Sequence, residues 1–444
     1  MKTIWLRLSP FYKNVVFGLF IGVLLIGLRD GQWVAGIEEL SVDWMMTFYR
    51  AAPPSNDTPP FVILDIDNET YQDWGKPLFI PGDKLLALLK FAVKGKPKLI
   101  IVDIAFNKQP SPNGLDPDEQ ALLHFFANYE TNHCSQSDCP TIILARAFRL
   151  PQAVNTFDSN TKPYYPEQPA TFLDKIVMRS THLEWAATLE LSQDRLLRRF
   201  SLWTTTCTKG APDVVPSMPL LTAALLVEDK PNTLPCSCRL RYHLAYFMPV
   251  DCQKGPQNWT REELQHKPTE FAASKEVVFH LQPTHLSRRI FYTIPWKKWP
   301  FLYDGRALLT IMSAKKMVDK PMSQKPLRDS ITLIGSSYVE SRNWYTTPLG
   351  QMPGTLVLVN SIHSLRQYGV LNAPSPWMVL LVITLLVVLT SWLLVKFGQQ
   401  RGTIYSALMI IALIPVSLVL FKYGIWLSFV MPWAAIQLRQ RVDF

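Results

Sequence analysis

The chain has 444 residues, of which 48% are hydrophobic, and a formal net charge of +10. That average is ordinary for a soluble protein, but the apolar residues are concentrated in a few windows near the two ends of the sequence. Much of the basic excess lies in short segments beside those windows. The charge therefore gives little reason to expect a nucleic-acid partner.

Four apolar windows predict transmembrane helices. A run of about 20 apolar residues spans the hydrocarbon core of a bilayer. We assign these helices to residues 14–33, 376–397, 403–421 and 425–440. The first window holds about 15 apolar residues, the size of a signal-peptide core, but Arg29 and Asp30 follow where a small-residue cleavage site is expected. A buried soluble helix is the alternative for each window.

Basic residues beside the predicted spans indicate their orientation. They are Lys2, Arg7 and Lys13 before the first span, Lys396 and Arg401 between the second and third, and Arg439 and Arg441 after the fourth. Such residues favour the cytoplasmic side. We therefore predict that residues 1–13 and 441–444 are cytoplasmic and that residues 34–372 form one large domain on the other side of the bilayer.

All six cysteines fall in this predicted outer domain: Cys134, Cys139, Cys207, Cys236, Cys238 and Cys252. An even count in an oxidising compartment predicts two or three disulfides, with a local link between the first two. Cys236 and Cys238 are too close to pair together, so each is expected to have another partner. Zinc binding with His133 or His243 is the alternative, but the paired C-x-x-C spacing is missing. Residues 229–270 lack clear periodicity and are interpreted as an insertion stapled by disulfides.

Apolar strands alternate with helical patterns in the outer domain, which predicts an α/β fold with a mostly parallel sheet. Strands are predicted at 61–67, 99–103, 141–145 and 331–335. One helix is predicted between Asp83 and Gly95 and another at 117–129, and residues 355–368 are a helix or a strand followed by a helix. The first strand–helix–strand unit calls for a right-handed crossover between parallel strands. Asp83 and Asp116 are the predicted helix caps, and Pro117 suits a first helical position.

Polar side chains follow the predicted parallel strands, where ligands bind in sheets of this kind. The candidate ligand-binding residues are Asp65, Asp67, Asp103, Asn343, Thr346 and Thr347. Acids at two neighbouring strand ends suit a cation or the amine of a small ligand. In the alternative interpretation the aspartates cap helices or fix turns and bind nothing. Three carboxylates are a poor calcium site, because calcium takes six or more oxygens, and we expect no metal.

Several motifs resemble the CHASE2 domain family. They are Asp65-Ile66-Asp67, the turn at Gly75, Leu99 to Asp103 with Phe106, Asp194 to Phe200, Ile294-Pro295-Trp296, Gly305, Ile331 to Gly335, Thr347 to Gly350, and Pro353-Gly354. The resemblance covers most of residues 35–370. CHASE2 is an extracytoplasmic sensory domain of bacterial receptors, placed after one membrane span and before three more. The resemblance therefore implies a periplasmic sensor domain in a multi-pass protein of the bacterial inner membrane.

The chain departs from the family pattern at three places. Lys76 to Pro81 replaces a Trp-Pro-Trp-rich segment, Asn343 stands where an Asp is common, and Leu358-Val359-Asn360 replaces His-Ala-Asn. Family members usually carry an output domain after the last span, whereas this sequence ends within six residues of Leu438. We therefore expect it to relay its signal to a separate signalling or envelope protein, and assembly into a homo-oligomer stays open. An envelope scaffold or assembly subunit is the alternative.

The sequence predicts no enzymatic activity and no cofactor. Ser336 and Ser337 follow a strand, but the G-x-S-x-G pattern of a nucleophile elbow is missing. His363 lies on the next predicted helix, where a satisfied core or surface imidazole is the simplest interpretation. P-loop, kinase and cyclase signatures are also missing.

Overall fold

The computed structural model divides the chain into two compact units, residues 1–52 with 371–444 and residues 53–370. It describes residues 9–27, 36, 39–40, 42–44, 46–47, 58–106, 115–134, 139–149, 165–188, 196–227, 235–247, 250–253, 270–274, 277–281, 289–296, 301–303, 306–319, 323–341, 343–368 and 376–422. The span predicted at 425–440 lies outside these residues.

The helices and strands of both units are numbered here in chain order, and they alternate along much of residues 53–370. In chain order the helices are α1 Pro10–Gly27, α2 Asn68–Asp73, α3 Gly82–Lys94, α4 Pro117–Ala127, α5 Tyr129–His133, α6 Asp174–Val177, α7 Met218–Leu225, α8 Cys236–Phe247, α9 Ala314–Asp319, α10 Gly354–Tyr368 and α11 Pro376–Lys422. The strands are β1 Phe61–Ile66, β2 Leu99–Val102, β3 Thr141–Arg146, β4 Leu183–Ala187, β5 Trp203–Thr208, β6 Ala211–Pro216, β7 Glu270–Ala272, β8 Val278–His280, β9 Phe301–Tyr303, β10 Arg306–Ser313, β11 Ile331–Ser336, β12 Trp344–Thr347 and β13 Gly350–Pro353.

The main sheet has the strand order β4-β3-β2-β11-β1-β10-β9. Its first six strands are parallel, and β9 pairs antiparallel with β10 at the edge. The predicted α/β class and mostly parallel sheet are therefore confirmed. Because parallel strands place their carboxyl ends at one edge, the residues that follow β1, β2 and β11 share a single edge.

Helices cover both faces of this sheet. On one face, Val62 and Leu64 of β1 pack in a core with Leu85 and Leu88 of α3. Alternate strand residues point the other way, and there Phe61 meets His363 of α10 in an edge-to-face contact at 6.4 Å between ring centroids. Burial on both faces explains why the strands are uninterrupted apolar runs.

Two helix starts test the predicted caps. Asp116 caps α4, accepting a hydrogen bond from the Glu119 amide at 2.8 Å while the Glu119 carboxylate accepts one from the Asp116 amide at 3.1 Å. The prediction that Asp83 caps a helix is wrong, because α3 begins at Gly82, one residue before Asp83. Asp83 instead lies in the first turn and forms an exposed ion pair with Lys84 at 3.3 Å.

The cysteines form two disulfides, Cys134–Cys139 and Cys207–Cys252. The predicted local link is thus confirmed. Cys236, which is buried, and Cys238, which is exposed, both remain thiols. The expectation that each is cross-linked is wrong, because the other four cysteines pair among themselves.

The predicted insertion at 229–270 contains regular structure that its composition hides. Helix α8 buries Leu240, Leu244 and Phe247, which recur at helical spacing. The Cys207–Cys252 bond ties the segment after α8 to strand β5. Strand β5 in turn forms a hairpin with β6 through Lys209 and Gly210, both with positive φ (51° and 81°), as a two-residue type I′ turn requires.

The unit formed by residues 1–52 and 371–444 contains α1 and α11. The two helices pack closely, since a Cβ on Gly18 would lie 2.6 Å from Cγ1 of Val387. Gly398, with φ 74° and ψ 170°, breaks the helical backbone of α11 where a loop between the second and third spans was predicted. Among the described residues one helical stretch, Leu380–Met409, is long and apolar enough to cross a membrane. The four predicted membrane helices are therefore not confirmed.

Candidate functional site

Two aspartates flank one glycine at the carboxyl edge of the main sheet. Asp65 of β1 pairs in register with Gly335 of the central strand β11. On the other side of β11, the Asp103 amide donates to the carbonyl of Ile334 at 2.8 Å, extending the β2–β11 ladder by one residue. Asp65 and Asp103 therefore stand in one row with Gly335 between them.

Asp65 is a buried acid, with 4% of the residue exposed. The Ser337 hydroxyl donates to its Oδ2 at 2.6 Å. Burial raises the pKa of Asp65 to about 7, the Ser337 hydrogen bond opposes that rise, and the nearby charge of Asp67 adds to it. Near neutral pH, Asp65 therefore exchanges between its charged and uncharged forms.

Asp103 is the second acid of the pair. The residue as a whole keeps some exposure, but its carboxyl group is enclosed. Burial raises its pKa to about 7, against the effect of the hydrogen bond that the Thr355 hydroxyl donates to its Oδ2 at 3.1 Å. Tyr345 lies near enough that the charge of Asp103 adds to burial in raising the tyrosine pKa.

Gly335 allows Thr355 to reach this position. A Cβ on Gly335 would lie 2.2 Å from Oγ1 of Thr355 and 2.8 Å from its Cγ2. Thr355 is buried in the first turn of α10, so its hydroxyl lies over β11 and within hydrogen-bond distance of Asp103. The missing side chain at position 335 thus determines how closely α10 approaches the strand.

Asp67, the third predicted acid, caps helix α2. Its Oδ1 accepts hydrogen bonds from the Thr70 amide at 2.8 Å and from the Thr70 hydroxyl at 2.6 Å. The Thr70 hydroxyl also accepts a hydrogen bond from the Lys315 amide at 3.1 Å, which connects α2 to the start of α9. The charge of Asp67 acts on Asp65, and the hydrogen bonds that Asp67 itself makes are those of a helix cap.

The remaining three candidates lie on the β12–β13 hairpin or directly before it. The Thr347 hydroxyl donates to the Gly350 carbonyl at 2.7 Å, and Thr346 Oγ1 accepts from the Gln351 amide at 2.8 Å. The Asn343 carbonyl accepts from the Gly354 amide at 2.7 Å. These contacts hold the hairpin and the start of α10. The structure thus places Asp65 and Asp103 on either side of β11 at one edge of the sheet and gives these three residues contacts of their own.

Sequence reasoning missed Ser337 and Thr355 as partners of the acids. Ser337 was visible as a small residue after a strand, but only the fold shows that it donates to Asp65, 272 positions away in sequence. Asn360, which stands in the segment that departs from the family pattern, is fully buried and accepts hydrogen bonds from the amides of Thr293 and Ile294, both at 3.0 Å. It thereby fixes residues 293–294 against α10.

Three histidines that the sequence singled out pack against other side chains. His363 is fully buried, burial lowers its pKa to about 4, and neither ring nitrogen has a hydrogen-bond partner among the described residues. The expectation of a satisfied imidazole is therefore not met. His133 and His243 are the histidines of the zinc alternative. The ring centroid of His133 lies 5.7 Å from that of Tyr129, and the ring centroid of His243 lies 5.6 Å from that of Phe271.

Comparison with known proteins identifies the family. The family model described as CHASE2 domain matches residues 18–396, which is most of the chain. The search of curated proteins and the search of solved structures each found no match. CHASE2 domains are extracytoplasmic sensory domains. The chain therefore belongs to the CHASE2 domain family.

Proposed function

We propose that this chain is a sensor subunit of the bacterial inner membrane that detects a periplasmic cue and relays it to a separate protein. In this proposal the large domain, residues 34–372, is periplasmic and both termini are cytoplasmic. The observation that carries it is the buried pair Asp65 and Asp103 beneath the first turn of α10. Sensory-family membership supports the same function.

The carboxyl pair suits a site whose charge responds to its surroundings. Both pKa values are about 7 because burial disfavours the charged forms. A cation or an amine that approached the acids would favour their charged forms, whereas an apolar environment favours the neutral ones. A modest change at this edge of the sheet therefore changes the net charge beneath α10.

Thr355 links that charge to the rest of the chain. Its hydroxyl donates to Asp103, and a charge-assisted hydrogen bond is stronger than one to a neutral acid. Helix α10, which begins at Gly354, is followed in sequence by residues 369–375 and then by α11. In our proposal a change in the Asp103–Thr355 contact shifts α10, and the shift passes along the chain to the membrane helices and the partner.

We propose no catalytic step for this chain. The Ser337 hydroxyl donates to Asp65, and among the described residues no imidazole is hydrogen-bonded to it. A serine nucleophile needs an adjacent general base that accepts its proton. Ser337 also lacks the G-x-S-x-G context of a nucleophile elbow.

A second function is favoured by one surface feature. Leu78 and Phe79 are adjacent and exposed, at 89% and 58%, within the segment that replaces the family's aromatic-rich sequence. Single exposed apolar side chains are common, but two adjacent large ones suit a protein contact. An envelope scaffold or assembly subunit would use such a contact in place of a small-molecule cue.

Capture of partners from cells tests the sensor proposal. The tagged full chain is purified in mild detergent as wild type, as Asp103→Asn and as Asp329→Asn, and the co-purifying proteins are quantified by mass spectrometry. Asp329 is the matched control, since its side chain is 75% exposed. If Asp103 couples cue to partner, Asp103→Asn should change the affinity for one stoichiometric partner by about 5-fold or more, the usual range of coupling energies. Asp329→Asn should not.

The same experiment separates the two functions. A Leu78→Ser and Phe79→Ser double variant should retain the partner if the chain is a sensor and lose it if those side chains form a scaffold contact. Equal recovery of every partner from wild type and from folded Asp103→Asn would contradict the relay through Asp103.

A further inference from the structure

A second cluster of chemically active side chains lies at the opposite edge of the sheet from the carboxyl pair. Cys139 shortly precedes β3, His182 directly precedes β4, and Cys134 follows α5. One potential ligand atom from each of the three lies within 4.8 Å of the other two, and all three residues are half-buried. Solutes therefore have access to a compact set of two sulfurs and one imidazole.

The cysteines of this cluster form a disulfide in the structure. A dithiol reductant exchanges with such a bond: the Cys134–Cys139 S–S bond breaks, each cysteine gains a thiol proton, and the reductant becomes a disulfide. Zinc binding then displaces the two thiol protons, because thiolates are the ligands. Two thiolates and one imidazole form a known zinc donor set that leaves a fourth position for water.

Glu130 holds the imidazole in place. Its Oε1 lies 3.3 Å from Nδ1 of His182 and accepts hydrogen bonds from the amides of Thr181 at 2.7 Å and of His182 at 3.2 Å. Metal-bound histidines usually hydrogen-bond a carboxylate through the ring nitrogen that does not bind the metal. Glu130 supplies that carboxylate, and the Thr181 hydroxyl also lies 2.9 Å from Nδ1. Nε2 is therefore the nitrogen offered to an ion.

The frame of the cluster does not depend on the disulfide. The hydroxyl of the fully buried Tyr129 donates to the Pro140 carbonyl at 2.6 Å, which joins α5 to the start of β3. The Ser180 hydroxyl donates to Glu130 at 2.7 Å, which joins α5 to the turn before β4. Neither contact involves a sulfur atom, so we expect both to persist after reduction and to keep the two thiols near His182.

We propose that Cys134, Cys139 and His182 form a redox-dependent zinc site. The oxidised chain holds the disulfide and excludes the metal, whereas the reduced chain binds one Zn²⁺ through two thiolates and the imidazole. This function is separate from the proposed cue site, since it uses other residues at the other edge of the sheet. It would make the periplasmic domain respond to thiol reductants and to zinc.

Zinc titration of the full detergent-solubilised chain tests this proposal. The chain is reduced with dithiothreitol, which is then removed without oxygen, and Zn²⁺ alone is titrated in competition with a chromogenic chelator. Reduced wild type should bind one more Zn²⁺ per chain than a reduced Cys134→Ser and Cys139→Ser double variant. Oxidised wild type should bind no more than that variant.

Variants that keep both cysteines guard against a folding artefact. His182→Gln should weaken zinc binding by the reduced chain at least tenfold, and Glu130→Gln by about 10- to 100-fold, as for other carboxylates behind a metal-bound histidine. His133→Gln is the matched control, because His133 is exposed and packs on Phe125 and Tyr129 outside the cluster, and it should leave affinity unchanged. The proposal is wrong if reduced wild type and the reduced double serine variant bind the same number of Zn²⁺ ions. It is also wrong if His182→Gln binds zinc as tightly as reduced wild type, or if oxidised wild type binds as much zinc as reduced wild type.

Discussion

Asp65 and Asp103 are acids placed where the surrounding protein disfavours charge. Each keeps one hydroxyl donor, from Ser337 and Thr355 respectively, yet burial outweighs these bonds and raises both pKa values to about 7. Such a pair lowers the stability of the folded chain when it ionises. Perturbed acids of this kind are concentrated at functional sites, although structural networks also produce them.

The raised pKa of Asp103 should be visible in how the stability of the folded chain depends on pH. Its folded pKa lies above the ordinary aspartate value, so the unfolded chain binds fewer protons between about pH 4 and pH 7 and wild-type stability falls as pH rises through that window. Asp103→Asn lacks the group, so its advantage over wild type should grow by about 2–3 kcal/mol from pH 5 to pH 8. Melting temperatures of the detergent-solubilised chains across this range measure the difference.

Asp329→Asn serves as the control for this measurement, because that side chain is 75% exposed. Its melting temperature should follow wild type at every pH. A difference between Asp103→Asn and wild type that stays constant from pH 5 to pH 8 would show that Asp103 is not buried as an uncharged acid.

At the scale of elements, helix α10 is held to its neighbours by polar contacts. Asn360 fixes the backbone of residues 293–294, and the Ser364 hydroxyl accepts a hydrogen bond from the Phe291 amide at 3.2 Å. The close approach of Thr355 to Gly335 sets the position of the helix start. These directional bonds and the one tight contact fix where α10 lies relative to Asp103.

Substitution of Gly335 should disturb this contact. Gly335→Ala places a Cβ against Thr355 Oγ1 and Cγ2, and overpacking of this kind typically costs about 1–3 kcal/mol. Thr355→Ala should also destabilise the chain, because Asp103 loses its donor. In the double variant, Gly335→Ala with Thr355→Ala, the nearest remaining atom to the new methyl group is Cβ of residue 355, 3.0 Å away. The double variant should therefore lose less stability than the two single losses added together.

A double-mutant cycle of unfolding free energies measures this coupling. Purely additive single and double effects would mean that residues 335 and 355 do not contact each other. The proposed path from the acids to α10 would then lose its first step.

At the scale of the whole molecule, the distribution of Lys and Arg makes a topological prediction. Both termini should be cytoplasmic and residues 34–372 periplasmic. A phosphatase that is active only in the periplasm should therefore be active when fused after Gly369 and silent when fused after Gln440. Activity assays with matched expression levels check both fusions. The opposite pattern would reverse the orientation and remove the oxidising compartment that the disulfides require.

Several elements were predictable from local patterns. Strands β1, β2, β3 and β11 are short apolar runs whose bounds differ from the predicted ones by a residue at most. The capping box at Asp116 follows from Asp116, Pro117 and Glu119 alone. Helix α8 shows where local reasoning failed, since its apolar spacing was present but was obscured by cysteines and charges.

The candidate site was predictable in part, for a physical reason. The strand–helix–strand pattern in the sequence predicts parallel strands. Parallel strands place the acids that follow them at one edge of the sheet. The separate environments of Asp65, Asp67 and Asp103 do not follow from it, because burial and donors come from residues distant in sequence. Asp67 caps a helix by accepting a hydrogen bond from the Thr70 amide. Asp65 accepts a hydrogen bond from the Ser337 hydroxyl, and Asp103 accepts one from the Thr355 hydroxyl.

The sequence by itself determined the fold class, the family, the local disulfide and the apolar windows, because each depends on residue type and short-range spacing. Only the tertiary structure decided that β11 inserts between β1 and β2 and so places two acids about a single glycine. It alone brought His182 beside Cys134 and Cys139, which precede it by more than forty positions. Long-range juxtapositions of this kind arise from strand order and helix packing, and no local pattern of residues encodes them.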